Sequence, residues 1–175
     1  PGPATVGSVE RNQLRFLGVP GLDSLTLGRN YTPVSLGCSG SFAGSVVFAG
    51  YGITAPELQY DDYAQIDVKG KVVIVLRKEP GQEDPNSRFD GQRPSQHAFF
   101  SSKELNASVH GAAGMIIVND RVTVRQAGED QLPALTAAGS SVTEAQIPTV
   151  YCLRSVVDSL LQASSGQTLD QLELA

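Results

Sequence analysis

The sequence predicts an α+β domain. Three observations carry that prediction: short strands closed by glycines over residues 9–50, two continuous apolar runs that read as buried strands, and two later segments with helical spacing. In "NQLRFLG" Leu14 and Phe16 alternate with polar neighbours, and in "DSLTLG" Leu25 and Leu27 do the same. "YTPVSLG" and "SVVFAG" follow, each closed by glycine. Short strands with frequent Gly and Pro imply antiparallel pairing here.

Residues 71–76, "KVVIVL", hold five consecutive apolar residues, mostly β-branched, as expected of a strand buried on both faces. The polar, Pro- and Gly-rich stretch Arg77–Gln96 has no period and reads as a long surface loop or lid. A helix is expected from about Ala98 to His110, with Lys103, Ala107 and Gly111 on one face and Gly111 or Gly114 as its stop. "MIIVND" reads as a buried strand, residues 121–146 as irregular, and "IPTVYCL" as a strand. Val156, Val157, Leu160 and Leu161 share a helical face, with Ser155 as the expected N-cap and Gly166 as the stop. "TLDQLELA" is a last strand or helical turn.

With 175 residues the chain is long enough for one domain with its own core or two very small ones, and 41% hydrophobic and 18% charged residues are ordinary for a globular protein. A net charge of −5 argues against nucleic acid, whose phosphates need a basic face. No apolar run approaches the roughly 20 residues of a membrane helix, and no signal-peptide pattern opens the chain. The first residue is not Met and "PGPATVGS" has no structural pattern, so the expectation is a segment cut from a longer protein. Cys38 and Cys152 are either a disulfide or two buried thiols; a bridge would contribute roughly 4–5 kcal/mol. Their spacing is wrong for zinc.

Several constellations suggest chemistry and then fail. Gly50, Gly52 and Ala55 have the G-x-G-x-x-A spacing of a dinucleotide turn, with Glu79 after the next strand as the ribose contact would require. Pro56 follows at once, however, and the face shared by Leu58, Asp61, Asp62 and Gln65 is too polar for a crossover helix to bury. Thr54 and Glu57 form at most a one-turn capping box. The carboxylates Glu57, Asp61, Asp62 and Asp67 lack the internal glycine of a calcium loop, so Asp61 and Asp62 are expected to cap backbone N–H groups of a turn. His97 and His110 are far apart and belong to no H-E-x-x-H or H-x-D pair, and His110 falls at a helix C-terminus where it can satisfy carbonyls. No G-x-S-x-G elbow is present. Asn30 and Asn106 match the glycosylation sequon. Catalytic, cofactor-binding and metal residues are all read as none, which favours binding or gating over catalysis.

The blocks "VVFAGYGITAPELQYDDYAQIDVKGKVVIVLRKEPG", "KELNASVHGAAGMIIVND" and "IPTVYCLRSVVDSLL" carry a resemblance. Together, over about residues 45–161, they resemble the protease-associated (PA) domain, in the version inserted in zinc aminopeptidases of the M28 family. The resemblance implies a single PA domain over residues 1–175, built as a β-sandwich or open barrel of short strands with flanking helices. It implies no catalytic residues, with zinc held by peptidase sequence outside this segment. Gly50, Gly52, Asp61, Asp62, Tyr63, Gly70, Lys71, Lys103, Ala107, Gly111 and Gly114 match the family pattern as fold-determining positions.

The implied function is a non-catalytic module that covers or flanks the active site of a secreted zinc aminopeptidase. Its partners would be its own peptidase domain and a peptide or protein substrate, with no nucleic acid and no membrane span. The implied location is extracytoplasmic: secreted, periplasmic or cell-envelope. The alternative is the PA domain of a receptor or sorting protein that binds peptide ligands. Within the loop, Arg77, Arg88, Phe89 and Arg93 are the expected contact residues.

Overall fold

The computed structural model describes residues 12–34, 40–133 and 147–174. Five strands form one mixed sheet: β1 (Tyr31–Pro33), β2 (Val46–Phe48), β5 (Val72–Leu76), β6 (Gly114–Val118) and β7 (Thr149–Cys152), in the order β1-β7-β6-β5-β2. Two more, β3 (Thr54–Ala55) and β4 (Tyr60–Asp61), pair as a small hairpin. The helices are α1 (Phe100–Val109), α2 (Arg121–Ala127), α3 (Arg154–Ser165) and α4 (Leu169–Glu173). The class is α+β, as expected.

The two apolar runs become the central strands, with every residue of β5 and β6 buried. Alternation then divides their side chains between two cores. Val72, Ile74, Leu76, Ile116, Val118 and Cys152 face the apolar side of α3, together with Leu14, Phe16 and Leu22. Val73, Val75, Met115, Ile117 and Tyr151 face Ala107 of α1 and Tyr63 and Val68. Cys152 carries a free, fully buried thiol, and burial pushes its pKa up; Cys38 lies outside the described residues.

Within the five-stranded sheet antiparallel pairing holds for β1 with β7 only, because β2, β5, β6 and β7 all run parallel; the β3–β4 hairpin is antiparallel as well. The segment between β2 and β5 turns twice and returns in the same direction. Leu14 and Phe16 are buried in alternation, but their segment joins no ladder, and "DSLTLG" contributes a single bridge, Leu27 to Tyr31. Residues 121–146 are not wholly irregular: Asp120 accepts from Thr123 N at 2.8 Å and starts α2. Ser155 does not cap α3, since it lies inside the first turn and the cap position is Leu153. The orphan N–H of Arg154 is taken instead by Asp130 Oδ2 at 2.6 Å, a carboxylate distant in sequence. "TLDQLELA" forms the helical turn α4, closed by a Thr168–Gln171 capping box.

The caps can be ranked. Asp130→Ala removes the acceptor of Arg154 N and of Asn119 Nδ2 and is expected to cost about 1–2 kcal/mol. Ser155→Ala is expected to cost less than about 0.5 kcal/mol. Urea midpoints of the two variants measure the difference, and equal midpoints would contradict it.

Candidate functional site

The segment 49–63 leaves the end of β2, turns a corner, and passes through the β3–β4 hairpin. Asp62 organises it. Its Oδ2 accepts from Tyr51 N at 3.1 Å and Ile53 N at 3.0 Å, and its Oδ1 from the Tyr60 hydroxyl at 2.7 Å. Asp61 Oδ1 accepts from Tyr63 N at 2.9 Å and Thr54 Oγ1 at 3.0 Å. Both aspartates thus cap backbone N–H groups, as their setting in the sequence implied. Gly50 and Gly52 have φ of +50° and +66°, and added Cβ atoms would meet the Asp62 carboxylate and Val75. These glycines serve the corner and its approach to the sheet. No crossover helix follows: Pro56–Leu58 is one 3₁₀ turn without a side-chain cap, and Glu57 pairs with His97 at 2.9 Å instead of completing a box with Thr54.

The corner is tied to α1 by a residue that the sequence showed only as a pattern match. Lys103 is 0% exposed, and its ammonium donates to the Tyr51 carbonyl, while Asn106 Nδ2 donates to Gly52 O at 3.1 Å. Burial pushes Lys103 down to about 7 against the opposing pull of Asp62, Glu79 and Asp120. Burial also raises Asp62, against its hydrogen bonds and the Lys103 charge. Both members move toward neutrality, so desolvation outweighs their attraction. A lysine on the small-residue face of α1, between sheet and corner, is the signal that marked it.

The loop Arg77–Gln96 is fastened at three points. Glu79 is turned inward, with Ser95 N donating to Oε1 at 2.8 Å and the Ser95 hydroxyl donating to Oε2. Gln82 Nε2 donates to Asp120 Oδ1 at 2.8 Å. Phe89 is 1% exposed and packs edge-on to Tyr60 at 5.1 Å, in a third small core with Ile53 and Ala55.

Phe89 is therefore an anchor of the loop and not a contact residue, because its ring fills the space between loop and hairpin. Arg88 lies exposed over the Tyr60 ring at 4.9 Å and donates to Leu58 O at 3.1 Å. Arg93 is exposed, and Arg77 is half-buried beside Phe100. The structure does not gather the four into one patch. Arg77 instead shares a cavity with Lys78, Phe99 and Phe100, which the sequence reading passed over.

His97 and His110 stay apart: His110 stacks on Tyr63 at 4.3 Å and meets Thr54 Oγ1 at 3.2 Å. His110 closes α1 through its backbone N–H, which donates to Asn106 O at 3.0 Å. Among the described residues, no group of three or more His, Cys, Asp or Glu is arranged to hold a metal ion, so this set does not fit zinc.

Two outcomes follow from this geometry. An unfolded chain keeps Lys103 near its ordinary 10.5, so from about pH 7 upward it holds a proton that the folded chain has released. Stability then rises with pH across about 7 to 9, below the range where the raised Cys152 and tyrosine groups reverse the slope. Lys103→Met is expected to flatten that rise in urea midpoints measured against pH; an unchanged slope would contradict the assignment. Asp62, with its pKa raised, acts oppositely: its contribution is present at low pH and lost as pH climbs through the carboxylate range. Phe89→Ala is expected to cost about 3–5 kcal/mol and to open the loop to proteolysis, whereas Arg93→Ala costs under about 0.5 kcal/mol.

A search of curated proteins finds no match to the chain. Among solved structures the chain is similar to an aminopeptidase from Aneurinibacillus sp. strain AM-1, with a TM-score of 0.51 and 19% identity. That similarity covers 80% of this chain and 26% of the aminopeptidase, so the chain spans about a quarter of the length of that structure and shares its fold over that part. The family model of the PA domain matches residues 31–160, and the chain belongs to the PA domain family.

Proposed function

We propose that this PA domain serves a secreted zinc aminopeptidase of the M28 type as a non-catalytic module that flanks the active site and shapes substrate access. The observation that carries the reading is the similarity of most of this chain to a quarter of a solved aminopeptidase, together with its membership in the PA family. The organisation of the domain supports it. The loop Arg77–Gln96 is closed on itself by Glu79 with Ser95, tied to the start of α2 by Gln82 and packed on the hairpin by Phe89, which gives it a fixed shape with which to bound a cleft. Exposed Arg93 and half-buried Arg77, which lines the cavity beside Phe100, are its contacts to a peptide or to the peptidase domain. Zinc belongs to the peptidase sequence, and the module acts outside the cell or in its envelope.

Such a module changes which substrates reach the site, not the chemistry performed there. In the full-length parent enzyme, Arg77→Ala with Arg93→Ala is expected to change kcat/KM for peptides several-fold and to leave a single aminoacyl-p-nitroanilide within about two-fold. The chain itself is expected to hydrolyse neither, with or without added zinc. Turnover by the pure chain, abolished by chelator, would overturn the reading, as would equal effects of the variants on both substrates.

A further inference from the structure

Where β5 runs into the loop, a cavity of about 430 Å³ opens between Arg77, Lys78, Pro94, Phe99, Phe100 and Ser101. We propose that this cavity is a docking site for an acidic peptide segment, with a side-chain carboxylate taken by Arg77 and Lys78 and an adjacent apolar side chain taken by the phenylalanine rings. The inference rests on the reading of the domain as a contact module and names the chemistry of its partner.

Charge is the first argument. In this chain of net charge −5, four lysines and arginines are held by carboxylates: Lys71 by Asp67, Arg121 by Asp170, Arg125 by Glu83, and Arg154 by Asp170 and Glu173. Arg15, Arg29, Lys69, Arg88 and Arg93 are in no ion pair among the described residues either, but Arg77 and Lys78 are adjacent and line one cavity. Among the described residues, Arg77 and Lys78 form no ion pair. The acid beside them in sequence, Glu79, does not neutralise them, because its carboxylate is buried and held by Ser95. Two adjacent cations without a carboxylate partner therefore line one cavity, Arg77 also reaching the buried Tyr151 hydroxyl, and a planar guanidinium next to an ammonium matches a carboxylate.

Backbone geometry is the second argument. Lys78 has φ of +62°, a left-handed conformation that side-chain-bearing residues adopt at a cost. Glycine would hold this turn without strain, and the lysine side chain makes no hydrogen bond or ion pair among the described residues. The conformation sends Glu79 inward and leaves Lys78 at the cavity, so the strained residue supplies charge to the site and no bond to the fold.

The lining also has an apolar half. Phe99 is 57% exposed, and from the cavity the outer face of α1 continues through Ser101, Leu105 and Val109, one turn apart, with Leu105 and Val109 also exposed. An inorganic anion would gain nothing from these groups. A polypeptide with apolar side chains beside its acid engages both halves, and arginine and aromatic residues, phenylalanine included, are enriched at protein interfaces. The volume falls within the roughly 300–1,000 Å³ usual for ligand pockets.

The test titrates the ¹⁵N-labelled 175-residue chain with two end-blocked peptides, acetyl-Phe-Glu-Leu-amide and acetyl-Phe-Gln-Leu-amide. The Glu peptide is expected to shift the amides of residues 77–78 and 99–101 and to bind at least about ten-fold more tightly than the Gln peptide. Arg77→Ala with Lys78→Ala is expected to remove that preference. Because Arg77 also packs on Phe100, Lys78→Gly provides a second variant: it should weaken the Glu peptide several-fold while Tm stays level or rises. Equal affinity for the two peptides, no shift with either, or a Lys78→Gly variant that loses Tm and keeps its affinity would overturn the site. A negative result here leaves the aminopeptidase reading standing, whereas chelator-sensitive turnover by the chain would remove that reading without touching this one.

Discussion

The Asp62 carboxylate is the interaction on which the rest of the site depends. It holds two N–H groups of a backbone corner and one tyrosine hydroxyl, and so fixes the path by which the chain leaves β2. Lys103 grips the same corner from the other side through the Tyr51 carbonyl. An aspartate and a lysine at this depth are costly to desolvate, and neither gains enough from the other to offset that cost. What they secure is position. The corner stands against Tyr63 and Val75 on one side and Tyr60 and Phe89 on the other, so its placement sets where the hairpin and the loop Arg77–Gln96 lie.

The parallel sheet explains why so many polar groups collect here. Parallel strands end at the same edge, and the chain following each strand must turn there with its peptide groups satisfied. After β5 that role falls to Glu79, after β6 to Asn119 and Asp120, and after β7 to Arg154. Arg154 donates to Asn119 O at 2.7 Å, and Asp120 holds both the start of α2 and Gln82 of the loop. One belt of buried polar side chains therefore joins three strand ends to the loop.

Much of the fold was legible because it is written in local pattern. The runs at β5 and β6, the apolar face of α3 and the capping role of Asp61 and Asp62 all follow from neighbouring residues. The features that escaped depend on partners far away in the chain. Ser155 is a fair local cap, but Asp130 reaches Arg154 N from elsewhere, and nothing in "LRSVV" reveals it. Val122 and Val124 alternate as in a strand, yet the Asp120 cap makes them helical. Phe89 sits in a polar, Pro-rich stretch, and its burial depends on Tyr60 across the hairpin. Lys103 was visible as a lysine on a small-residue face, but that it is buried against the Tyr51 carbonyl follows only from the corner being there.

The loop is where these two levels meet. Its composition marks a solvated surface, and Asp84 and Asp90 do stay exposed, but two of its acids are engaged. Glu79 turns in and is consumed by Ser95, and Glu83 pairs with Arg125 of α2. Arg88 is drawn back over Tyr60, whereas Lys78, Arg93 and half-buried Arg77 have no carboxylate partner among the described residues. The engaged acids, Glu79 and Glu83, brace the loop, and Lys78 and Arg77 are left at the cavity beside Phe100. The contact proposed for that cavity would therefore fall at the carboxyl end of the sheet, where β5 runs into the loop.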